Sequence, residues 1–359
     1  MTYNIVLLPG DGIGPEVAAA ARTVLEEVAE EHALSLAFST HDFGGCAIDA
    51  HGDPFPEETK SACLSADAVF LGAVGGPKWE GGGPRPEQGL LALRTELGTF
   101  ANLRPITLFE GLEALSPLRP ERVAGTDLLI VRELTGGIYF GKRQEGDENA
   151  TDECAYSRGE VKRIARIAFE AARGRDGRVT SVDKANVLAT SRLWRKTVIA
   201  LRDAEFPDVE LDHVLVDAMA MKLIERPSAF DVILTENMFG DILSDEASVI
   251  AGSIGLAPSA SLGLTHGGLF EPIHGSAPDI AGQGKANPIG AILSAAMLLR
   301  HALGEETAAA TIERAVAACL ADGVSTADVG GNAATQEVAQ AVCERIREAA
   351  PSIPLAGTA

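Results

Sequence analysis

The sequence predicts an α/β fold divided into two domains. Strand-like apolar runs alternate with helical ones along the chain, the pattern of a sheet covered by helices. The 359 residues are long for one compact core and suit two units that share a cleft. Four successive strand-like runs end on polar residues, and ligands of open α/β sheets gather at such carboxyl ends.

Taken in order, Ile5-Val6-Leu7-Leu8 reads as a buried strand, Gly10-Asp11-Gly12-Ile13-Gly14 as a tight turn, and Pro15 as the opening of a helix. The turn is no dinucleotide fingerprint. G-x-G-x-x-G requires glycine where Pro15 stands, and no acidic residue closes a following strand at the right distance. The turn reads as a strand-to-helix connection rather than a classical Rossmann site. Ala68 to Gly72 is a second strand, and the Gly/Pro-rich segment from Trp79 to Pro86 is an irregular loop. The four polar-ended runs are Leu128–Val131 before Arg132, Val179–Val182 before Asp183 and Lys184, His213–Val216 before Asp217, and Asp231–Thr235 before Glu236 and Asn237. The uncharged run from Ala247 to Phe270 holds five glycines, a proline and several serines, so it reads as loops and tight packing rather than a membrane span. From Ala286 on the pattern is Ala-rich helix, ending in a loose tail over Pro351–Ala359.

Charge excludes some partners. With 51 acidic and 30 basic residues the net charge is −21, which repels nucleic acid and anionic membranes. A site for an anionic substrate must then carry its own positive groups. Met1-Thr2-Tyr3-Asn4 has no basic leader pattern, and the five cysteines are scattered, odd in number and form no C-x-x-C, so a reduced cytoplasmic protein is expected.

The chemistry-bearing residues follow. Asp241 and Asp245 lie four apart, which on a helix turns both carboxylates to one side, and Asp217 could add a third; such oxygens suit Mg²⁺ or Mn²⁺. Arg94, Arg104 and Arg132 could clamp carboxylates, since guanidinium forks bind them bidentately. Tyr139 and Lys184 are candidate acid and base groups. His274 opens a Gly/Ser/Pro turn that could hug a ligand, with Asp279 available for ribose hydroxyls. Each of these types also occurs commonly on surfaces or in cores.

The set LLPGDGIGPEV (7–17), GAVGGPKW (72–79), RPEQGLLALR (85–94), FANLRP (100–105), VRELTGGIYFG (131–141), TSVDKANVL (180–188), NMFGDILSDEAS (237–248) and EPIHGSAPDIAG (271–282) closely resembles the isocitrate/isopropylmalate dehydrogenases, a family of metal-dependent β-decarboxylating dehydrogenases. The resemblance covers nearly the whole chain. It implies a two-domain fold that is not a Rossmann fold, in agreement with the turn at Gly10–Gly14; the first domain joins residues 1–100 and 252–359, and the second is formed by 101–251 with metal, substrate and dimer interface. It implies NAD-linked, Mg²⁺- or Mn²⁺-dependent oxidative decarboxylation of a 2-hydroxy diacid. Among the family's substrates 3-isopropylmalate, and so leucine biosynthesis, is expected ahead of isocitrate, homoisocitrate, tartrate or D-malate. A non-catalytic subunit of the same fold is a remote alternative.

By the same resemblance Arg94, Arg104 and Arg132 hold the substrate carboxylates, Asp241 and Asp245 hold the metal with Asp217 of a second subunit, and that subunit's Lys184 helps remove the hydroxyl proton. Tyr139 protonates the enol. Glu87, Leu90, Leu91 and Val187 form the pocket for the C3 substituent, where leucines suit an isopropyl group. Glu271, His274, Gly275, Ser276, Ala277, Asp279 and Asn287 line the NAD site. A homodimer with shared sites is implied. One departure follows Asp217, where the family's usual Asn-Ala-Ala-Met-Gln is replaced by Ala218-Met219-Ala220-Met221-Lys222.

Overall fold

A computed structural model describes residues 2–264 and 267–349. Its elements run β1 (Thr2–Gly10), α1 (Gly14–Glu31), β2 (Ser35–Thr40), α2 (Gly45–His51), α3 (Glu57–Ser65), β3 (Ala68–Ala73), α4 (Pro86–Glu96), β4 (Ala101–Thr107), α5 (Pro120–Val123), β5 (Asp127–Glu133), β6 (Arg143–Gln144), β7 (Thr151–Asp152) and α6 (Arg158–Arg173). They continue with β8 (Arg178–Asp183), α7 (Ala189–Glu205), β9 (Glu210–Leu215), α8 (Val216–Glu225), β10 (Val232–Thr235), α9 (Asn237–Ile250), β11 (Pro258–Leu262), β12 (Leu269–Pro272), α10 (Ile289–His301), α11 (Glu306–Ala321) and α12 (Thr335–Ala349).

Ten strands form one sheet in the order β2-β1-β3-β12-β11-β4-β5-β10-β8-β9. The first five come from residues before 100 or after 252, and the last five from 101–251. The sheet runs unbroken between these halves. Each half is parallel at its outer end, and the antiparallel pairs β12·β11, β11·β4 and β4·β5 lie at the centre. Strand direction therefore reverses in the middle of the sheet.

The two faces differ. On one, α1, α10, α11, α12, α6 and α7 pack into a single apolar layer reaching from Val24 to Trp194 and Ile346. On the other face there are two cores. One lies around Leu71, Leu93 and Leu269 beneath α4, the other around Ile130, Ile233, Leu243 and Ala247 beneath α9. Between them the central strands present Asn102, Arg104, Arg132, Ser259, Ser261 and Glu271, all polar. Burial joins the halves on one face and leaves a polar gap on the other.

Two expectations need correction. The run 247–270 is not mainly loop: it contains the end of α9 and the central strand β11, and leads into β12. Small residues pack β11 tightly, and Ser259 and Ser261 are buried by bonding Asn102. Asp217 does not end a strand. It sits in the first turn of α8, because the chain passes from Leu215 directly into helix. The tail 351–359 lies outside the described residues.

Candidate functional site

Three elements bring the arginines to the gap. Arg104 on β4 is 7% exposed and Arg132 on β5 is 3% exposed, so neither is a surface charge. Arg104 donates from Nε to Asn102 Oδ1 at 2.8 Å and from Nη1 to Ser244 Oγ and, at 3.1 Å, to Asp245 Oδ1. Arg132 donates from Nε and Nη2 to Asn237 Oδ1 at 3.0 and 2.8 Å, and from Nη1 to Asp241. Arg94, in the last turn of α4, donates to Glu271 Oε1 at 3.0 Å. Burial, and then the neighbouring Arg104, lower the Arg132 pKa to about 10, and burial also lowers that of Arg104. Both stay cationic at neutral pH. The three arginines bring positive charge into the gap of a chain of net charge −21, and each is paired there with a carboxylate, Glu271, Asp245 or Asp241.

Asp241 and Asp245 follow from helix periodicity. They are one turn apart on α9, whose first turn is capped by Glu236 accepting from the Phe239 N–H. Tyr139, on a single 3-10 turn over Gly137–Tyr139, donates to Asp241 Oδ2 at 3.1 Å. Burial, and then Asp241, raise its phenol pKa, which keeps it protonated as an acid must be. Burial raises the Asp245 carboxyl as well, against the pull of Arg104.

Lys184 and Asp217 stand apart from these groups. Lys184 closes β8 and pairs through Nζ with Asp217 Oδ1, whose carboxyl that contact holds below its usual range. Among the described residues no three His, Cys, Asp or Glu side chains gather where one metal ion could bind. Within a single chain, then, Asp241 and Asp245 form a pair of carboxylates without a third. Val187, on the Lys184 loop, is 62% exposed. Glu87, Leu90, Leu91 and Arg94 lie along α4, with Leu90 and Leu91 half-buried.

The second cluster surrounds His274. Its Nδ1 meets Gly275 O at 3.0 Å, its Nε2 is buried without a partner, and burial lowers its pKa toward the neutral form. Gly275 and Asp279 are exposed, Ser276 is buried, and Ala277 takes a left-handed φ of 36°. Asn287 is already engaged: it donates to Asp328 at 3.0 Å and accepts from the Ile289 N–H. Glu271 belongs to both clusters, since it ends β12 and holds Arg94.

Asn237, named in the sequence only as a polar strand end, organises this gap. Its Oδ1 orients Arg132, and its two amide hydrogens hold Leu134 O and Gly136 O, both at 3.0 Å, beneath the Tyr139 turn. The signal was available: a polar residue directly after a buried strand and before an apolar helix face. A cavity of about 450 Å³ lies on the other side of β4, lined by Leu103, Pro105, Leu129 and Met297, and contains none of these groups.

The isocitrate/isopropylmalate dehydrogenase family model matches residues 4–342. The chain belongs to that family. It is 55% identical over 353 residues to the 3-isopropylmalate dehydrogenase of Anaeromyxobacter dehalogenans, covering 96% of this chain and all of that one. It is 56% identical to the 3-isopropylmalate dehydrogenase of Rhodopirellula baltica, covering 96% and 99% of the two chains. The crystal structure of isocitrate dehydrogenase from Methylococcus capsulatus superposes with a TM-score of 0.86 at 38% identity, covering 96% and 99%. The α/β fold with its large mixed sheet is thus shared with a solved isocitrate dehydrogenase.

Proposed function

We propose that this protein oxidatively decarboxylates 3-isopropylmalate to 4-methyl-2-oxopentanoate, reducing NAD, as a step of leucine biosynthesis. The observation that carries the reading is the convergence of Arg94, Arg104 and Arg132 on a gap walled by Asp241, Asp245 and the Tyr139 hydroxyl. Two carboxylates on the substrate match this positive cluster, and the half-buried Leu90 and Leu91 beside Arg94 suit an isopropyl group. The names of the relatives at 55% and 56% identity favour the same substrate.

The residues fit the two groups this chemistry needs. Asp241 and Asp245 are hard oxygen donors that suit Mg²⁺ or Mn²⁺. The orphaned His274 Nε2, the exposed Gly275 and the Asp279 carboxylate suit a dinucleotide, and Asp279 favours a free 2′-hydroxyl, hence NAD over NADP. When bound, the ion supplies Lewis acidity for loss of CO₂, and the dinucleotide takes the hydride from C2. The arginines orient the carboxylates. Lys184, after passing a proton of its ammonium to the paired Asp217 or to water, would take the C2 hydroxyl proton, and Tyr139 would return a proton to C3 after the carboxylate has left.

Lys184 and Asp217 enter from a second copy in this reading. On α8, Asp217, Met221 and Ile224 fall at i, i+4 and i+7, and Met221 and Ile224 are 64% and 47% exposed. On α9, Ile242, Asp245 and Val249 fall at i, i+3 and i+7, and Ile242 and Val249 are 59% and 54% exposed. Pairing these stripes between two copies buries four apolar side chains and carries Asp217 toward the partner's metal-binding helix. On α9 Phe239 and Leu243 are buried in the chain's own core, which leaves Ile242 and Val249 for a partner. The five free cysteines fit a reducing cytoplasm.

The test is NADH formation from 3-isopropylmalate, isocitrate and D-malate, each with Mg²⁺ and with chelator. The proposal expects 3-isopropylmalate to give the highest kcat/KM and chelator to abolish turnover. A higher kcat/KM for isocitrate or malate would move the substrate assignment to another member of the family.

A further inference from the structure

The tight turn at Gly10–Gly14 is built around a carboxylate rather than a phosphate site. Asp11 is 5% exposed. Its Oδ2 accepts the N–H groups of Gly45 and Gly75 at 2.8 and 2.9 Å, and its Oδ1 accepts that of Cys46 at 2.8 Å. Among the described residues no cation pairs with it. Burying a carboxylate this way is costly, and three backbone donors offset the cost only while all three stay in place.

Those donors belong to two segments, Gly45–Cys46 and Gly75, which also meet farther out where Lys78 and Trp79 donate to Asp49. The turn itself reaches the His274 loop: the Ile13 N–H donates to Ser276 O at 2.8 Å, and a Cβ on Gly12 would lie 1.9 Å from that same oxygen. Gly75 reaches the other wall, since a Cβ there would lie 2.9 Å from Glu87 Oε1 at the start of α4. Gly45 lies against the Trp79 ring, which closes the loop between them.

From this arrangement we propose that Asp11 is a positioning residue for the dinucleotide site, fixing the distance between the Ser276 loop and the Glu87 wall. It touches neither substrate nor cofactor. It rests on the assignment of NAD to the His274–Asp279 segment. The glycines serve close backbone approach: Gly10 and Gly12 have φ of 72° and 58°, and Gly14 packs against Pro9 O and Ala73 N.

Asp11→Asn is nearly isosteric, but its NH₂ must face a backbone N–H, so at least one of the three contacts becomes donor against donor. Calorimetric titration of the full-length protein with NAD⁺, and separately with 3-isopropylmalate plus Mg²⁺, tests the role. The expected result is a rise of about tenfold or more in Kd for NAD⁺ with a clearly smaller change for the malate, whose pocket shares only Glu87 with the displaced wall. Equal losses for both ligands, or an unchanged NAD⁺ affinity, overturn the proposal. Wild-type protein that binds no NAD⁺ overturns the cofactor assignment itself, a separate result. Should Asp11→Asn fail to fold, Gly12→Ala carries the test, because its Cβ would meet Ser276 O and move the dinucleotide loop while leaving Glu87 and the Asp11 contacts in place. The same selective loss of NAD⁺ affinity is expected, and its absence contradicts the proposal.

Discussion

Arg132 shows how a single side chain is made useful by what surrounds it. Its guanidinium is buried yet charged, and Asn237 Oδ1 takes two of its hydrogens so that the plane cannot rotate. Replacing Asn237 with Ala leaves those donors and the carbonyls of Leu134 and Gly136 short of partners. Stability should fall by on the order of 3 kcal/mol, and KM for the diacid should rise. Denaturant unfolding and steady-state kinetics check the pair of effects. Wild-type KM would show that Arg132 needs no such support. Asp245→Asn should keep the fold, weaken Mg²⁺ binding and lower kcat by orders of magnitude. Full activity of this variant in chelator would remove the metal assignment. Asp241 and Asp245 were legible in the sequence because helix periodicity alone aligns them. Asn237 was legible as a polar strand end but not in its bonds, and Asn102 and Asp11 were not legible, since each acts by bonding segments distant in the chain.

At the scale of elements, α4 and α9 do the placing. Each covers its own core on one face of the sheet, and each turns a charged side toward the gap between the cores. Specificity should therefore be editable on α4 without disturbing α9. Leu90→Ser combined with Leu91→Asn removes apolar contact worth roughly 1–3 kcal/mol per group, so selectivity for 3-isopropylmalate over D-malate should fall. An unchanged ratio of kcat/KM values would place the pocket elsewhere. The parallel strands β1, β3, β5, β8 and β10 announce themselves as apolar runs, being buried on both faces. Strand β11 does not, because Pro258-Ser259-Ala260-Ser261 is half polar and satisfies its buried atoms through β12, β4 and α10. The reading of 247–270 as loop missed it for that reason.

At the scale of the molecule, the proposed acid and the proposed base stand apart within one chain. Tyr139 and the Asp241/Asp245 pair face one gap, while Lys184 and Asp217 form a separate ion pair beside an exposed apolar stripe. The central claim is that the reaction needs both sets in one site, supplied by two copies of the chain. Lys184→Ala and Tyr139→Ala homodimers should each be nearly inactive. Mixed by joint unfolding and refolding, they form heterodimers in which one site carries both defects and the other carries neither. With random assortment half the dimers are mixed and half of their sites are whole, so roughly a quarter of wild-type activity should return. A mixture no more active than its parents, with heterodimers confirmed by mass, would contradict the shared site.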